Sequence, residues 1–179
     1  TADLGRRGGA EVADIGVAFG GDGDLCFVCD DRGRFVPGDF VTALRGCYVR
    51  ERDPGGKIVD DVRCSWAVRD LISAAGGTPL IERVGHSFLK PRIFEEGAVY
   101  AGELSGHYYF RDFFGADSGV VPSLVMLEML SSCGAKLSQL LKPLEKKYFL
   151  SSELTSRVDD PAAKLEALAA RYADGATAR

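Results

Sequence analysis

The chain has 179 residues, enough for one ordinary domain or one domain with pieces of its neighbours, and its 46% hydrophobic and 27% charged content excludes a disordered or fibrous protein. A formal net charge of −4 leaves no surplus of Lys and Arg for a phosphate backbone, so no nucleic-acid partner is expected, although a local basic pocket can still take a small anion. No apolar run approaches the roughly 18–20 residues of a membrane span and "TADLGRRGG" lacks a signal-peptide core, so a cytoplasmic or organelle-matrix protein with no membrane span is expected.

Residues 1–12 read as the tail of a helix leading into a strand, "ADIGVAF", over 13–19. A corner, "GGDGD", turns the chain into a second strand, "LCFVCDD", over 25–31. "PGDFVTALRGCYVRE" opens on Pro37 and sets Phe40, Val41, Leu44 and Tyr48 at helical spacing. A strand over 57–63 follows, and Ser65 is placed to cap "WAVRDLISAAGG", a helix closed by two glycines. "TPLIERV" reads as a strand, and "SFLKPRIFEEG" as a helix that Pro91 starts or disturbs. "AVYAGEL" and "HYYFRDFF" read as strands. A helix from about Ser118 to Cys133 is apolar enough to be buried over much of its surface, and "KLSQLLKPLEKKY" continues as helix. "FLSSELTSRV" reads as an edge strand, and "DPAAKLEALAARYADG" as a capped amphipathic helix. Strands alternating with helices predict an α/β fold, a sheet flanked by helices on its faces. Both ends read as interrupted elements, so a piece of a longer chain, or a reduced relative of one, is expected.

The five cysteines, Cys26, Cys29, Cys47, Cys64 and Cys133, are expected to be free thiols. Cys26 and Cys29 form a CxxC, but within a strand they point to opposite faces, so buried thiols are favoured over a zinc or redox pair.

Four constellations could carry chemistry. Asp22 and Asp24, on alternate residues of a glycine-rich corner, could converge on a hard divalent cation, or simply mark a Gly/Asp turn. In "VGHSFLK", backbone amides at a helix start together with His86 and Lys90 suit a phosphate or sugar hydroxyl; a capping Ser87 beside an exposed histidine is the plainer reading. In "GELSGH", Glu103, Ser105 and His107 are spaced by two, so an extended segment would turn all three to one side, suited to vicinal sugar hydroxyls or to nothing more than a polar strand face. Arg63, in "DDVRCSW", sits where ligands of open α/β sheets gather, and could meet a phosphate or pair with Asp60 or Asp61.

Taken in order, "ADIGVAFGGDGDLCFVCDDRG", "DVRCSWAV", "GGTPLIERVGHSFLK" and "GELSGHYYFRDFFGADSG" closely resemble the bacterial phosphomannomutase/phosphoglucomutase branch of the α-D-phosphohexomutase superfamily, over about residues 10–157. The resemblance implies a mixed, mostly parallel sheet of the type of that family's third domain, with part of a neighbouring domain. Residues 1–32 would be the end of a second domain, 33–150 a third domain for sugar recognition, and 151–179 a connecting strand and helix toward a fourth. It implies an enzyme that interconverts hexose 1- and 6-phosphates through a phosphoserine, with Mg2+ as cofactor. Glu103, Ser105, His107, Arg63, His86 and Lys90 would face the substrate, and Asp22 and Asp24 would belong to the metal loop.

That loop departs from the family pattern DGDxDR. Gly20 stands where the first aspartate belongs and Leu25 where the arginine belongs, so magnesium is not expected to bind. With the phosphoserine region absent, no catalytic residue is expected in this chain. Two functions fit. One is the sugar-phosphate recognition region of a mutase, inactive alone and binding a hexose phosphate; the other is a non-catalytic descendant serving as a structural subunit with other protein partners.

Overall fold

The computed structural model describes residues 4, 6, 13–149 and 155–173. The chain divides into two units, Thr1–Phe149 and Leu150–Arg179.

In the first unit, β1 (Gly16–Phe19), β2 (Cys26–Cys29) and β3 (Phe35–Val36) form an antiparallel sheet in that order. Both leading strands are shorter than their apolar runs suggest. The second ends at Asp30, whose buried carboxylate accepts the amides of Arg32 (3.0 Å) and Arg34 (2.9 Å) and the guanidinium of Arg34 (2.7 Å). That local turn brings the chain back for β3, which at two residues is too short to show an alternation. Of the helix expected over 1–12, Leu4 and Arg6 are helical and the rest lies outside the described residues.

α1 (Gly38–Arg52) leads to β4 (Lys57–Asp61), α2 (Trp66–Ala74), β5 (Thr78–Glu82), α3 (His86–Glu96), β6 (Tyr100–Gly102) and β7 (Tyr108–Phe110). Their sheet runs β5-β4-β6-β7; β4 is parallel to both neighbours and only β7 is antiparallel. This is the expected α/β arrangement of a mixed, mostly parallel sheet. β4 lies at its centre, and the two faces bury alternate residues. Val59, Ala101 and Tyr109 pack with Leu89 and Ile93 of α3, while Ile58 lies on the side of α1 and α2, where Gly46 lets the helices approach closely: a Cβ there would sit 2.6 Å from Ile72. Each such buried aliphatic side chain contributes about 1.5–3 kcal/mol. Ser65 caps α2 as expected, accepting the Ala67 amide at 3.3 Å.

The expected strand 107–114 ends at Phe110, because Arg111–Phe113 is one 3-10 turn and Phe114 adopts φ 57°. The helix expected over 118–133 is α4 (Val120–Cys133), and α5 (Leu137–Lys147) is a separate helix, broken from it at Gly134 with φ 61°. Burial of α4 is narrower than its composition suggests. Met126 and Met129 face inward, whereas Val120, Leu124 and Leu127 form an exposed stripe at helical spacing. No single helix among the described residues is long and apolar enough to cross a membrane.

One side chain breaks the apolar rule of the core. Arg45 of α1 is fully buried, with its guanidinium 4.4 Å from the ring centre of Tyr108 and Nη2 3.6 Å from the Cys26 sulfur. Its Nε and Nη1 have no partner among the described residues. Cys26 and Cys29 are buried free thiols.

The strand expected over 149–158 does not form at residue 149, the last of the first unit, or at 155–158 in the second; residues 150–154 lie outside the described residues. Residues 155–158 are exposed, with one apolar side chain, Val158, to hold a sheet face. α6 (Pro161–Arg171) has the expected cap, Asp160 accepting the Ala163 amide at 3.0 Å, and exposes Leu165, Leu168 and Tyr172 along one stripe.

Candidate functional site

The carboxyl end of β4 starts the site. Asp61, fully buried, accepts the backbone amide of Arg63 (2.8 Å), its Nε and Nη2 (3.0 Å each), and the amide of Leu104 (2.8 Å). One carboxylate thus ties the loop after β4 to the turn after β6. Arg63 extends from it toward Glu103, Nη2 to Oε2 at 3.8 Å, and buried Glu103 accepts the hydroxyl of Tyr109 at 2.5 Å.

The "GELSGH" segment is a tight β6–β7 turn, not the extended stretch its spacing suggests. The Glu103 amide donates to the His107 carbonyl (2.9 Å), the Gly106 amide donates to the Glu103 carbonyl (3.1 Å), and Gly106 has φ 93°, which suits glycine. The three polar side chains therefore divide. Glu103 is buried against Tyr109 and Arg63, while Ser105 Oγ lies 3.0 Å from His107 Nδ1, both half-buried.

His107 then meets the opening corner. Its Nε2 is 3.3 Å from Asp24 Oδ2, residues Leu25 and His107 form a β-bridge, and the Cys26 amide donates to the Gly106 carbonyl at 3.0 Å. Lys90, one turn into α3, donates to Asp117 Oδ1 at 2.8 Å and lies 5.8 Å from the centre of the Tyr109 ring. Burial works against the Asp117 carboxylate, but the hydrogen bond and charge of Lys90, with a backbone hydrogen bond, together outweigh it and hold the carboxyl below its ordinary range. His86 opens α3 and is exposed.

Arg63, Glu103, Tyr109, Lys90, Asp117, His107, Ser105 and Asp24 thus form one continuous polar ridge. Asp61 is the ion-pair partner for Arg63 that the sequence offered beside Asp60, whereas Tyr109 and Asp117 carry no sequence signal. Asp117 comes ten residues after His107, beyond β7 and a 3-10 turn, with no spacing rule to mark it.

The corner itself is held by backbone. Gly20 donates to the Leu25 carbonyl (3.3 Å), Gly23 to Gly20 (3.0 Å), and Gly119, just ahead of α4, to Gly23 (2.8 Å). A Cβ at Gly20 would lie 3.2 Å from Oδ1 of both Asp22 and Asp24. Positions 20, 22 and 24 therefore aim at one point, and two of them carry carboxylates. Mg2+ demands near-octahedral oxygen coordination, and the oxygens here are two carboxylates, one of them already turned to an imidazole nitrogen. The corner thus offers such an ion two carboxylates and, at Gly20, no third.

Behind the site, Asp60 is fully buried. Neither oxygen has a hydrogen-bond partner among the described residues, and Arg69 Nε approaches to 4.0 Å. Burial pushes its carboxyl up to about 7, against the pull of Arg69 and with the help of Asp61. Asp39, also buried and raised by burial, accepts the Ser65 amide at 3.3 Å.

Fold and ridge together define an α/β domain with its polar cluster at the carboxyl ends of parallel strands, the usual position for ligands of such sheets. The profile described as "Phosphoglucomutase/phosphomannomutase, alpha/beta/alpha domain III" matches residues 37–148. A phosphomannomutase of Salmonella montevideo is 40% identical over 166 residues, covering 93% of this chain and 36% of the relative. A protein named phosphohexose mutases, from Xanthomonas campestris pv. campestris, is 40% identical over 162 residues, covering 90% of this chain and 36% of the relative. A phosphoglucomutase/phosphomannomutase family protein of Burkholderia thailandensis superposes with a TM-score of 0.74 at 32% identity, over 87% of this chain and 32% of that one. The chain belongs to the phosphoglucomutase/phosphomannomutase family and carries its third α/β/α domain. It spans about a third of the length of these relatives.

Proposed function

We propose that this chain is the sugar-phosphate recognition region of a hexose 1-phosphate/6-phosphate mutase and has no mutase activity alone. Residues 1–32 belong in this reading to the second domain, 33–150 to the third, and 151–179 to the link toward a fourth. The observation that carries it is the continuous ridge, which brings the cations of Arg63 and Lys90 to the same strand ends as Ser105, His107 and the carboxylate of Glu103. Arg63 and Lys90 would hold the phosphate, Ser105 and His107 the sugar hydroxyls, and Glu103 would act mainly by fixing Arg63 and Tyr109. His86 lies at the first turn of α3, where helix amides favour an anion.

Titrating mannose 1-phosphate or glucose 1-phosphate into the labelled chain is expected to shift the amides of residues 103–107 at millimolar ligand. Lys90→Ala should weaken the effect about tenfold or more, the weight of one charged hydrogen bond at about 1.5–3 kcal/mol. Unmoved resonances at residues 103–107 at high millimolar sugar would sink this reading.

The corner favours a second reading, a non-catalytic descendant with a structural role among protein partners, because Gly20 and Leu25 remove a carboxylate and a cation from the family's loop. Magnesium tests whether those two positions alone account for the difference. Gly20→Asp is expected to gain Mg2+ binding measurable by calorimetry, since the new side chain would start 3.2 Å from both existing carboxylates. Leu25→Arg in that background restores the second loss. A doubly restored loop that still binds no Mg2+ would show that the corner has lost more than two side chains.

A further inference from the structure

We propose that Asp24, His107 and Asp117 form a site for a divalent transition-metal ion, Zn2+ or Co2+. One ligand atom from each lies within 4.8 Å of the others, and they come from three separate segments: the opening corner, the β6–β7 turn and the loop ahead of α4. An imidazole nitrogen with two carboxylate oxygens is a set that zinc and its neighbours accept and that Mg2+ and Ca2+ do not prefer.

Three features prepare it. Ligand atoms about 2.0–2.2 Å from a tetrahedral ion stand about 3.3 Å apart, and His107 Nε2 and Asp24 Oδ2 are already 3.3 Å apart. Asp24 Oδ1 is buried without a hydrogen-bond partner among the described residues. Ser105 Oγ, 3.0 Å from His107 Nδ1, orients the ring, and in the tautomer with the proton on Nδ1 it leaves the Nε2 lone pair facing the carboxylates. Lys90 takes Oδ1 of Asp117, and the second oxygen of that carboxylate is the one to meet the ion. Three protein ligands leave a fourth position for water or a substrate oxygen.

The test uses the metal-free 179-residue chain with Co2+ and no sugar, so its outcome is independent of the sugar-phosphate reading. One equivalent of Co2+ is expected to give visible d–d bands without the near-ultraviolet charge transfer of a thiolate ligand. It should bind more tightly than Mg2+ in competition. His107→Ala should abolish the bands, His86→Ala should leave them, and Ser105→Ala should weaken binding about tenfold by freeing the ring. Should His107→Ala fail to fold, Asp117→Asn takes its place. On the unaltered chain, Mn2+ should broaden the amides around Asp24, His107 and Asp117 first. Absence of Co2+ binding at millimolar concentration, a thiolate band, bands that survive in His107→Ala, or Mn2+ broadening centred elsewhere would overturn the proposal.

Discussion

At pH 8 the Asp60→Asn chain is expected to unfold at a higher urea concentration than the parent. Asp60 is fully buried, and its folded carboxyl is pushed up to about 7, whereas the unfolded chain ionises it near 3.9. The folded state is thus the one that holds the proton between those values. Stability from this group is greatest below the unfolded value, falls as pH rises through the window from about 4 to 7, and stays low above it. Three units at about 1.4 kcal/mol each set a ceiling of about 4 kcal/mol. Arg69, which loses its 4.0 Å contact in the variant, lowers the expected gain to about 2 kcal/mol. The gain should shrink toward zero near pH 4, where the parent carboxyl is also neutral. A variant less stable than the parent at pH 8 would mean that the Arg69 attraction outweighs burial.

Arg45 sets the second test. Its charge is buried against Tyr108, with Nε and Nη1 unpartnered among the described residues. The stacking contributes about 2 kcal/mol when desolvated, while the cost of burying an ion is several kcal/mol. Desolvation should therefore win once volume is preserved. Arg45→Met, which keeps the bulk and removes the charge, is expected to match or exceed the parent in stability. Arg45→Ala also removes the charge but leaves a cavity beside Tyr108, and should fall about 2–5 kcal/mol below Arg45→Met. If Arg45→Met were the worse of the two, the charge itself would be holding the core together.

The sequence showed the alternation of strands and helices because each apolar face repeats with its own period, and the cap at Ser65 because capping is local. It could not show β3, two residues long and created by the Asp30 turn, nor the hairpin at "GELSGH", where spacing by two fits a strand equally well. The ridge was half legible. Arg63, Lys90, Glu103, Ser105 and His107 sit in strings that resemble the family's, and its named members are now joined by contacts. Tyr109 and Asp117 matter through what they touch across the fold, and pairing distance leaves no mark on spacing. The inward turn of α4 was overread for a related reason: apolar composition reports what could be buried, not what the neighbours cover.

The corner between β1 and β2 is held by amide-to-carbonyl bonds from Gly20, Gly23 and Gly119, and none of them draws on the side chains at 20, 22, 24 or 25. Shape and chemistry are therefore inherited separately there. Substitutions can erase a ligand set, leave the architecture selectable, and later install another on the same frame. A lineage could pass through an inert intermediate at this position without ever passing through an unfolded one.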